Sequence, residues 1–147
     1  MSGKKDVPAA TGRFDKYIDV NPKTAEKLLR TFEIGLARAV LEASPTHAGA
    51  LMSLGAALTT AGRHEEALRI DLRATEVLGK EPIAFYNLAC SYSNLGRVDE
   101  ALAALEKTIA LGYRDYAYML KDPDLKKARR DPRFRQLLNK KWGKRQP

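Results

Sequence analysis

Apolar residues recur at intervals of three and four through the middle of the chain, which is the spacing of one face of an α-helix. In one such stretch Leu51, Leu54 and Leu58 share a face, and Gly62 ends the helix. Arg63 and a short polar segment then lead into a second amphipathic stretch. This pattern predicts two helices joined by a tight turn.

The same pattern returns 34 residues later. The aligned pairs are Leu54 with Leu88, Leu58 with Tyr92, Gly62 with Gly96, Arg63 with Arg97, Glu66 with Glu100, Ala67 with Ala101, Leu68 with Leu102 and Ala74 with Thr108. In both units acidic residues fall in the first turn of the second helix, where the helix dipole favours negative charge. A small alanine in that helix lets the paired helices approach closely. The sequence therefore predicts two antiparallel helix hairpins.

A period of 34 with this pattern resembles the tetratricopeptide repeat, a helix-turn-helix unit. The matching positions are Leu51, Leu54, Gly55, Leu58, Ala67 and Ala74 in the first unit, and Phe85, Leu88, Ala89, Tyr92, Ala101 and Thr108 in the second. The chain departs from the family at Gly79 and Tyr113, where proline is usual, and at Asp71, where an aromatic residue is usual. The resemblance covers roughly residues 48–113.

Two units leave an apolar face open at each end, because repeats of this kind are stable only when about three or more are stacked. Upstream, Asn21 and Pro22 predict a helix start, and the helix should end near Ser44 and Pro45. Its apolar face consists of Leu28, Leu29, Phe32, Leu36, Val40 and Leu41. We expect this face to cover the first hairpin, as a cap or a degenerate second helix.

Downstream, residues 112–121 resemble the start of a third first helix. Two Asp-Pro pairs follow, at Asp122 and Asp131, and each predicts an N-cap with proline at the first helical position. This string is similar to a C-terminal extension that closes bacterial tetratricopeptide arrays. The resemblance implies that four apolar side chains plug the last hairpin: Leu125, Phe134, Leu137 and Leu138.

The predicted fold is all-α, a short tetratricopeptide-type solenoid of antiparallel helix hairpins with capping helices at both ends. The expected segments are a disordered N-terminus (1–13), an N-terminal capping region (14–47), the first unit (48–81), the second unit (82–115), a C-terminal capping extension (116–142) and a basic tail (143–147).

The composition suits one folded domain, with 147 residues, 44% of them apolar and 30% charged. Cys90 is the single cysteine, which excludes an internal disulfide and leaves a zinc site without its usual thiolates. Because the sequence shows neither a long apolar run nor a signal peptide, we expect a cytoplasmic protein. The repeat pattern leads us to expect a prokaryotic scaffold or adaptor.

Catalytic candidates are few, namely His47, His64 and Cys90, and none has a known catalytic or metal-binding spacing. Cys90 has no basic partner nearby in sequence, which favours a passive thiol. The sequence also has no glycine-rich phosphate loop. We therefore expect no enzyme activity, no metal and no cofactor.

In tetratricopeptide arrays the first helices line a concave groove, and the resemblance implies which side chains face it here. They are Met52, Ala56, Thr59, Ile83, Tyr86, Asn87, Cys90, Ser93 and Asn94. This set offers an aromatic anchor and amides that can hold a peptide backbone. Some family members clamp acidic C-termini with Lys, Asn and Arg in this groove, but only Asn87 matches, which disfavours a chaperone-tail adaptor. Alternatively, Met52 and Tyr86 pack against the upstream cap or a second copy of the chain.

The net charge of +8 lies entirely in residues 121–147, which hold 11 Lys and Arg against three Asp. The basic candidates are Lys126, Lys127, Arg129, Arg130, Arg133, Arg135, Lys140, Lys141, Lys144 and Arg145. Such a patch could bind nucleic acid or an anionic surface, with Trp142 as a stacking ring. Against this, Phe134, Leu137 and Leu138 trace a helical seam that makes the basic residues its solvated side.

Three functional hypotheses follow. The leading one is a scaffold or adaptor that binds a peptide segment of a partner protein in the concave groove. The second is binding of nucleic acid or an anionic surface through the basic segment. The third is self-association through an uncovered repeat face, because the ends of a solenoid expose apolar surface.

Overall fold

The computed structural model describes the backbone of residues 21–142 and the side chains of residues 21–140. The predicted disordered N-terminus and basic tail lie outside these ranges. The helices are α1 (Pro22–Ala43), α2 (Ala48–Thr60), α3 (His64–Val77), α4 (Pro82–Asn94), α5 (Val98–Ala110), α6 (Tyr116–Met119), α7 (Lys126–Arg129) and α8 (Pro132–Trp142), with a 3-10 turn at Pro123–Leu125. The described residues contain no strand, and the predicted all-α solenoid is confirmed.

The two hairpins, α2–α3 and α4–α5, turn at equivalent glycines. Gly62 and Gly96 have φ of 73° and 75°, a left-handed conformation that costs other residues energy. In each turn the amide after the glycine donates to a carbonyl in the last turn of the first helix, Arg63 N to Leu58 O and Arg97 N to Tyr92 O, both at 2.9 Å. This is the bonding pattern of a glycine-terminated helix, and it reverses the chain within a few residues.

Asp71 joins the two hairpins from a position where the family usually has an aromatic residue. Its carboxylate is 1% exposed, and Ser91 Oγ of α4 donates to its Oδ2 at 2.6 Å. Gly55 makes room for it, because a Cβ at that position would collide with Asp71 Oδ1. Burial raises the pKa of Asp71 to about 6, although the hydrogen bond from Ser91 acts in the opposite direction. A polar contact therefore lies in the middle of the junction between the units.

The N-terminal helix packs on the first hairpin with only part of the predicted apolar face. Leu28, Leu29, Phe32 and Leu36 were expected to cover the hairpin, but they are 55–66% exposed, and that expectation was wrong. The buried residues of α1 are Ile34, Ala37 and Leu41, while Val40 is partly buried. Small residues explain the choice: Ala37 packs in one cluster with Ala50 and Ala57 of α2, so the two helices can approach closely.

The C-terminal segment closes the other end of the solenoid. Leu125, Phe134 and Leu138 are buried in one cluster with α4 and α5, and Leu137 packs against it, as expected. Both Asp-Pro caps form, because Asp122 accepts from Asp124 N and Asp131 accepts from Arg133 N, each at 2.9 Å. The expected third first helix is shorter than predicted, a single turn in α6.

Candidate functional site

The concave face of the second hairpin is closed by the chain's own C-terminal segment. Ala128 N donates to Ser93 Oγ at 3.2 Å, and Lys127 Nζ donates to Asn94 O at 2.7 Å. The Asn94 amide in turn donates to Asp124 Oδ1 at 3.0 Å. Ser93 and Asn94 were predicted to face a ligand, and here their polar groups bind residues 124–128 of the same chain.

Tyr86 is the centre of this closure. It is 6% exposed, its hydroxyl donates to Asp122 Oδ2 at 2.6 Å, and its ring stacks on Tyr113 with centroids 5.0 Å apart. Burial raises the pKa of Tyr86, and the hydrogen bond to Asp122 acts in the same direction. Tyr86 is therefore an internal anchor for the turn at Asp122 and is not available as an exposed aromatic contact.

Cys90 lies beside the same carboxylate, with Sγ 3.9 Å from Asp122 Oδ2. Burial raises the pKa of the Cys90 thiol, and the nearby negative charge of Asp122 raises it further. A thiol in such surroundings stays protonated and is a poor nucleophile.

The remaining groove candidates separate into exposed and packed residues. Met52 is partly buried against the core of the first hairpin, and Ile83 is 40% exposed. Ala56, Thr59 and Asn87 line a small cavity of about 150 Å³ next to Tyr86 and Cys90, with Asp122 and Asp124 on its wall. The Asn87 side chain is partly buried in this wall and has no hydrogen-bond partner among the described residues.

A larger groove of about 660 Å³ lies between α1 and α2, and we call it the N-terminal groove. Its lining is mainly apolar and combines both helices: Leu29, Leu36, Ala37, Val40, Ala50, Ala56 and Ala57, with Ser53 and Thr60 as polar members. Glu26, Glu33 and His47 line it as well, together with Arg30, which donates to Thr60 O at 3.3 Å. Because Ala56 and Thr60 also line the small cavity, the two form a continuous surface.

The basic candidates do not form one free patch. Arg129 donates to Asp122 O at 2.7 Å, Arg133 pairs with Asp131 and Asp99, and Lys127 is bound to Asn94. Among the described side chains, Lys126, Arg130, Arg135 and Lys140 are exposed and have no partner within the chain. The predicted roles of Lys141, Lys144 and Arg145 lie outside the described side chains.

The described residues lack two kinds of feature. They include no group of three or more His, Cys, Asp or Glu side chains that could hold a metal ion. None of their helices combines the length and the hydrophobicity required to cross a bilayer.

Comparison with known families agrees with the architecture. One tetratricopeptide repeat model matches residues 34–79 and another matches residues 83–111, together slightly more than half of the chain. The chain belongs to the tetratricopeptide repeat family. The first of these matches includes the second half of α1, so the likeness to the family begins within that helix. Neither match extends beyond residue 111, so the likeness of residues 122–138 to a bacterial C-terminal extension stays a prediction.

A curated relative is similar to about half of the chain. Over 83 residues this tetratricopeptide chain is 41% identical to a protein of Arabidopsis thaliana whose name describes it as chloroplastic. The similar region is 52% of this chain and 24% of that protein, so the chain spans about a quarter of its relative's length. The relative's name places that protein in the chloroplast, and the cytoplasmic location of this chain stays a prediction.

Sequence reasoning missed two features of this surface. The repeat register placed Tyr86 on the concave side but could not show that Asp122, 36 residues later, accepts its hydrogen bond. It also missed the N-terminal groove, because the exposure of Leu29 and Leu36 depends on which face of α1 is buried. The repeat register did contain a signal for the buried face of α1. Ala37 is a small residue, and its counterpart 34 residues later is Asp71, which is buried between the two hairpins.

Proposed function

We propose that this chain is a non-catalytic scaffold or adaptor that binds an extended peptide segment of a partner protein along the N-terminal groove and the adjoining Asn87 cavity. Tetratricopeptide repeats are protein–protein interaction modules, which supports the general class of function. One observation carries the location: the concave face is closed at the second hairpin by residues 122–128, while an apolar groove of about 660 Å³ is open at the first.

The chemistry of this surface indicates what the peptide would look like. Leu29, Leu36 and the alanines of α2 favour apolar side chains, and the Asn87 amide can pair with a peptide backbone. Two carboxylates, Glu26 and Glu33, line the groove against one guanidinium, that of Arg30, which already donates to the Thr60 carbonyl. The preferred peptide therefore carries apolar residues flanked by Lys or Arg.

The test is selection from a random peptide library with the intact chain, followed by measurement of the dissociation constants of the selected peptides. Ala56→Arg places a bulky cation where the groove and the cavity meet, so we expect at least about tenfold weaker binding, a loss of roughly 1.4 kcal/mol. Ala103→Arg is the matched control, since Ala103 is an exposed residue of α5 away from the groove.

Two results would contradict this assignment. One is equal binding of the selected peptides to Ala56→Arg and to the unchanged chain. The other is selection of acidic peptides, which the Glu-lined groove should disfavour.

Binding of nucleic acid or an anionic surface is the weaker candidate. It rests on net charge, and Lys127, Arg129 and Arg133 are used in contacts within the chain. Measured affinity for nucleic acid that falls steeply with salt concentration would support this second function.

A further inference from the structure

Helix α1 carries an apolar face that the solenoid does not use. Four residues form it, and we call them the outer stripe: Leu28, Phe32, Gly35 and Ala39. Their spacing of four, three and four residues is that of a helix–helix seam, and they fall within an arc of about 60° on the helix surface. All four are exposed, Leu28 by 59% and Phe32 by 66%. The buried side of α1, at Ile34 and Leu41, is on the opposite side of the helix.

Comparison with α3 shows that this face is unusual within the molecule. Helix α1 packs on α2 as α3 packs on α4, so residues 34 positions apart correspond. The counterparts of Phe32, Gly35 and Ala39 are the charged Glu66, Arg69 and Arg73. If α1 is the degenerate second helix of a repeat unit, the missing first helix of that unit would lie in the N-terminal groove. It would leave the outer stripe uncovered. Repeat packing alone therefore gives no reason for apolar residues here.

The order of side-chain sizes along the stripe points to its occupant. Bulky residues, Leu28 and Phe32, occupy the N-terminal half, and small residues, Gly35 and Ala39, occupy the C-terminal half. We propose that the outer stripe binds the outer stripe of a second copy, with the two α1 helices antiparallel about a two-fold axis. This arrangement places Phe32 against Gly35 and Leu28 against Ala39 of the second copy. A parallel pair would instead oppose bulky residues to bulky ones and small to small.

Gly35 supports this geometry independently. A Cβ at position 35 would meet no atom within 4 Å, so nothing within the described chain requires glycine there. Glycine in the middle of a helix is unfavourable relative to alanine, and its lack of a side chain permits close approach by a second helix.

Charge along the edge of the stripe is consistent with the antiparallel arrangement. Lys27 and Glu42 flank the same side of the stripe, one near each end. In the antiparallel pair Lys27 approaches Glu42 of the second copy, and the two-fold axis forms this contact twice. The outer stripe is small for a specific interface, so we expect association no tighter than roughly the micromolar range.

The experiment is sedimentation velocity of the full chain over a wide concentration range, with four proteins compared. The unchanged chain should shift from monomer to dimer. Gly35→Leu should raise the dissociation constant at least about tenfold, because the added side chain occupies the place of the partner's Phe32. Phe32→Glu should abolish the dimer, and Lys23→Gln, which changes the charge equally on the other side of α1, should leave it intact. Circular dichroism would verify that all four proteins fold.

Gly35→Leu separates this proposal from unspecific apolar association. A larger exposed apolar side chain would strengthen unspecific contact, so tighter association of Gly35→Leu overturns the proposal. A monomer at every concentration also overturns it. In that case a fall in the melting temperature of Phe32→Glu would indicate that residues 1–20 of the same chain cover the stripe.

Discussion

At the residue scale, Asp71 is the side chain whose behaviour depends most on its surroundings. A carboxylate buried without a cationic partner favours its protonated form, because low dielectric surroundings penalise the charge. Only one hydrogen bond opposes this, from Ser91, and in the structure Asp71 Oδ1 has no partner. The junction between the two units therefore contains a group that titrates near pH 6.

We expect Asp71→Asn to change how stability depends on pH. The pKa of Asp71 is raised from 3.8 to about 6 in the folded chain, so folding favours the proton. This group's stabilising contribution is complete below about pH 4 and is lost as the pH rises towards 6, by up to roughly 3 kcal/mol. The stability of Asp71→Asn relative to the unchanged chain should therefore increase between pH 4 and 6.5, as measured by urea unfolding.

The comparison must be a difference between variants, because other carboxylates act in the opposite direction. The pKa values of Glu66, Glu100 and Asp131 are lowered by hydrogen bonds from neighbouring arginines, so they favour folding at higher pH. Glu76→Gln, an equal change of charge at an exposed site of the same helix, is the control. A relative stability of Asp71→Asn that is flat with pH would contradict the raised pKa.

At the scale of elements, the sequence predicted helices α2 to α5 because each carries its apolar residues on the face that is buried. Gly62 and Gly96 fixed where the first helices end. The prediction failed for α1, where two apolar faces compete. The bulkier face is longer and more conspicuous, but the face with Ala37 permits closer packing on α2. Choosing between them requires the shape of the neighbouring helix, which periodicity alone does not contain.

The C-terminal cap also has features that the local sequence predicts and features that depend on distant residues. Local signals predicted the caps at Asp122 and Asp131, because each involves residues two positions apart. The contacts that close the groove link residues 30 or more positions apart, such as Tyr86 with Asp122. They depend on how α4 and the C-terminal segment dock. The sequence could therefore predict that Tyr86 faces the concave side, but not that Asp122 would contact it there.

Tyr86→Phe should loosen this docking. Removing the hydroxyl leaves the buried Asp122 carboxylate without its short hydrogen bond, so we expect a loss of about 1–3 kcal/mol in the free energy of unfolding. Tyr118→Phe removes the same atom from a neighbouring ring that is 50% exposed, and it should cost less than about 0.5 kcal/mol. Equal losses in the two variants would show that the bond to Asp122 contributes little.

At the scale of the whole molecule, most buried apolar residues of the described part of the chain fall into two clusters. One joins α1, α2 and α3, and the other joins α4 and α5 to the C-terminal segment. Helix α3 contributes to both, with Ala67 and Ala74 in the first cluster and Leu68 in the second. Because the contact between Asp71 and Ser91 crosses this boundary, the two clusters are coupled through a polar pair as well as through apolar packing.

This division predicts a gradient of local stability along the chain. Helix α4 is covered by α3, α5 and the C-terminal segment, so its amides should exchange with solvent only through the largest openings. Residues 22–29 are all exposed, and their helical turns lack a packing partner in the described chain. Hydrogen exchange measured by mass spectrometry should therefore show the slowest exchange in α4 and the fastest, among the long helices, in the first two turns of α1.

The measurement should be made at low protein concentration, where association through the outer stripe is negligible, and then repeated at high concentration. Residues 22–29 include Leu28, so the dimer should slow exchange there and leave α4 unchanged. Exchange in residues 22–29 as slow as that of α4 in the dilute sample would contradict the gradient. It would mean that residues outside the described range already cover the start of α1 within a single chain.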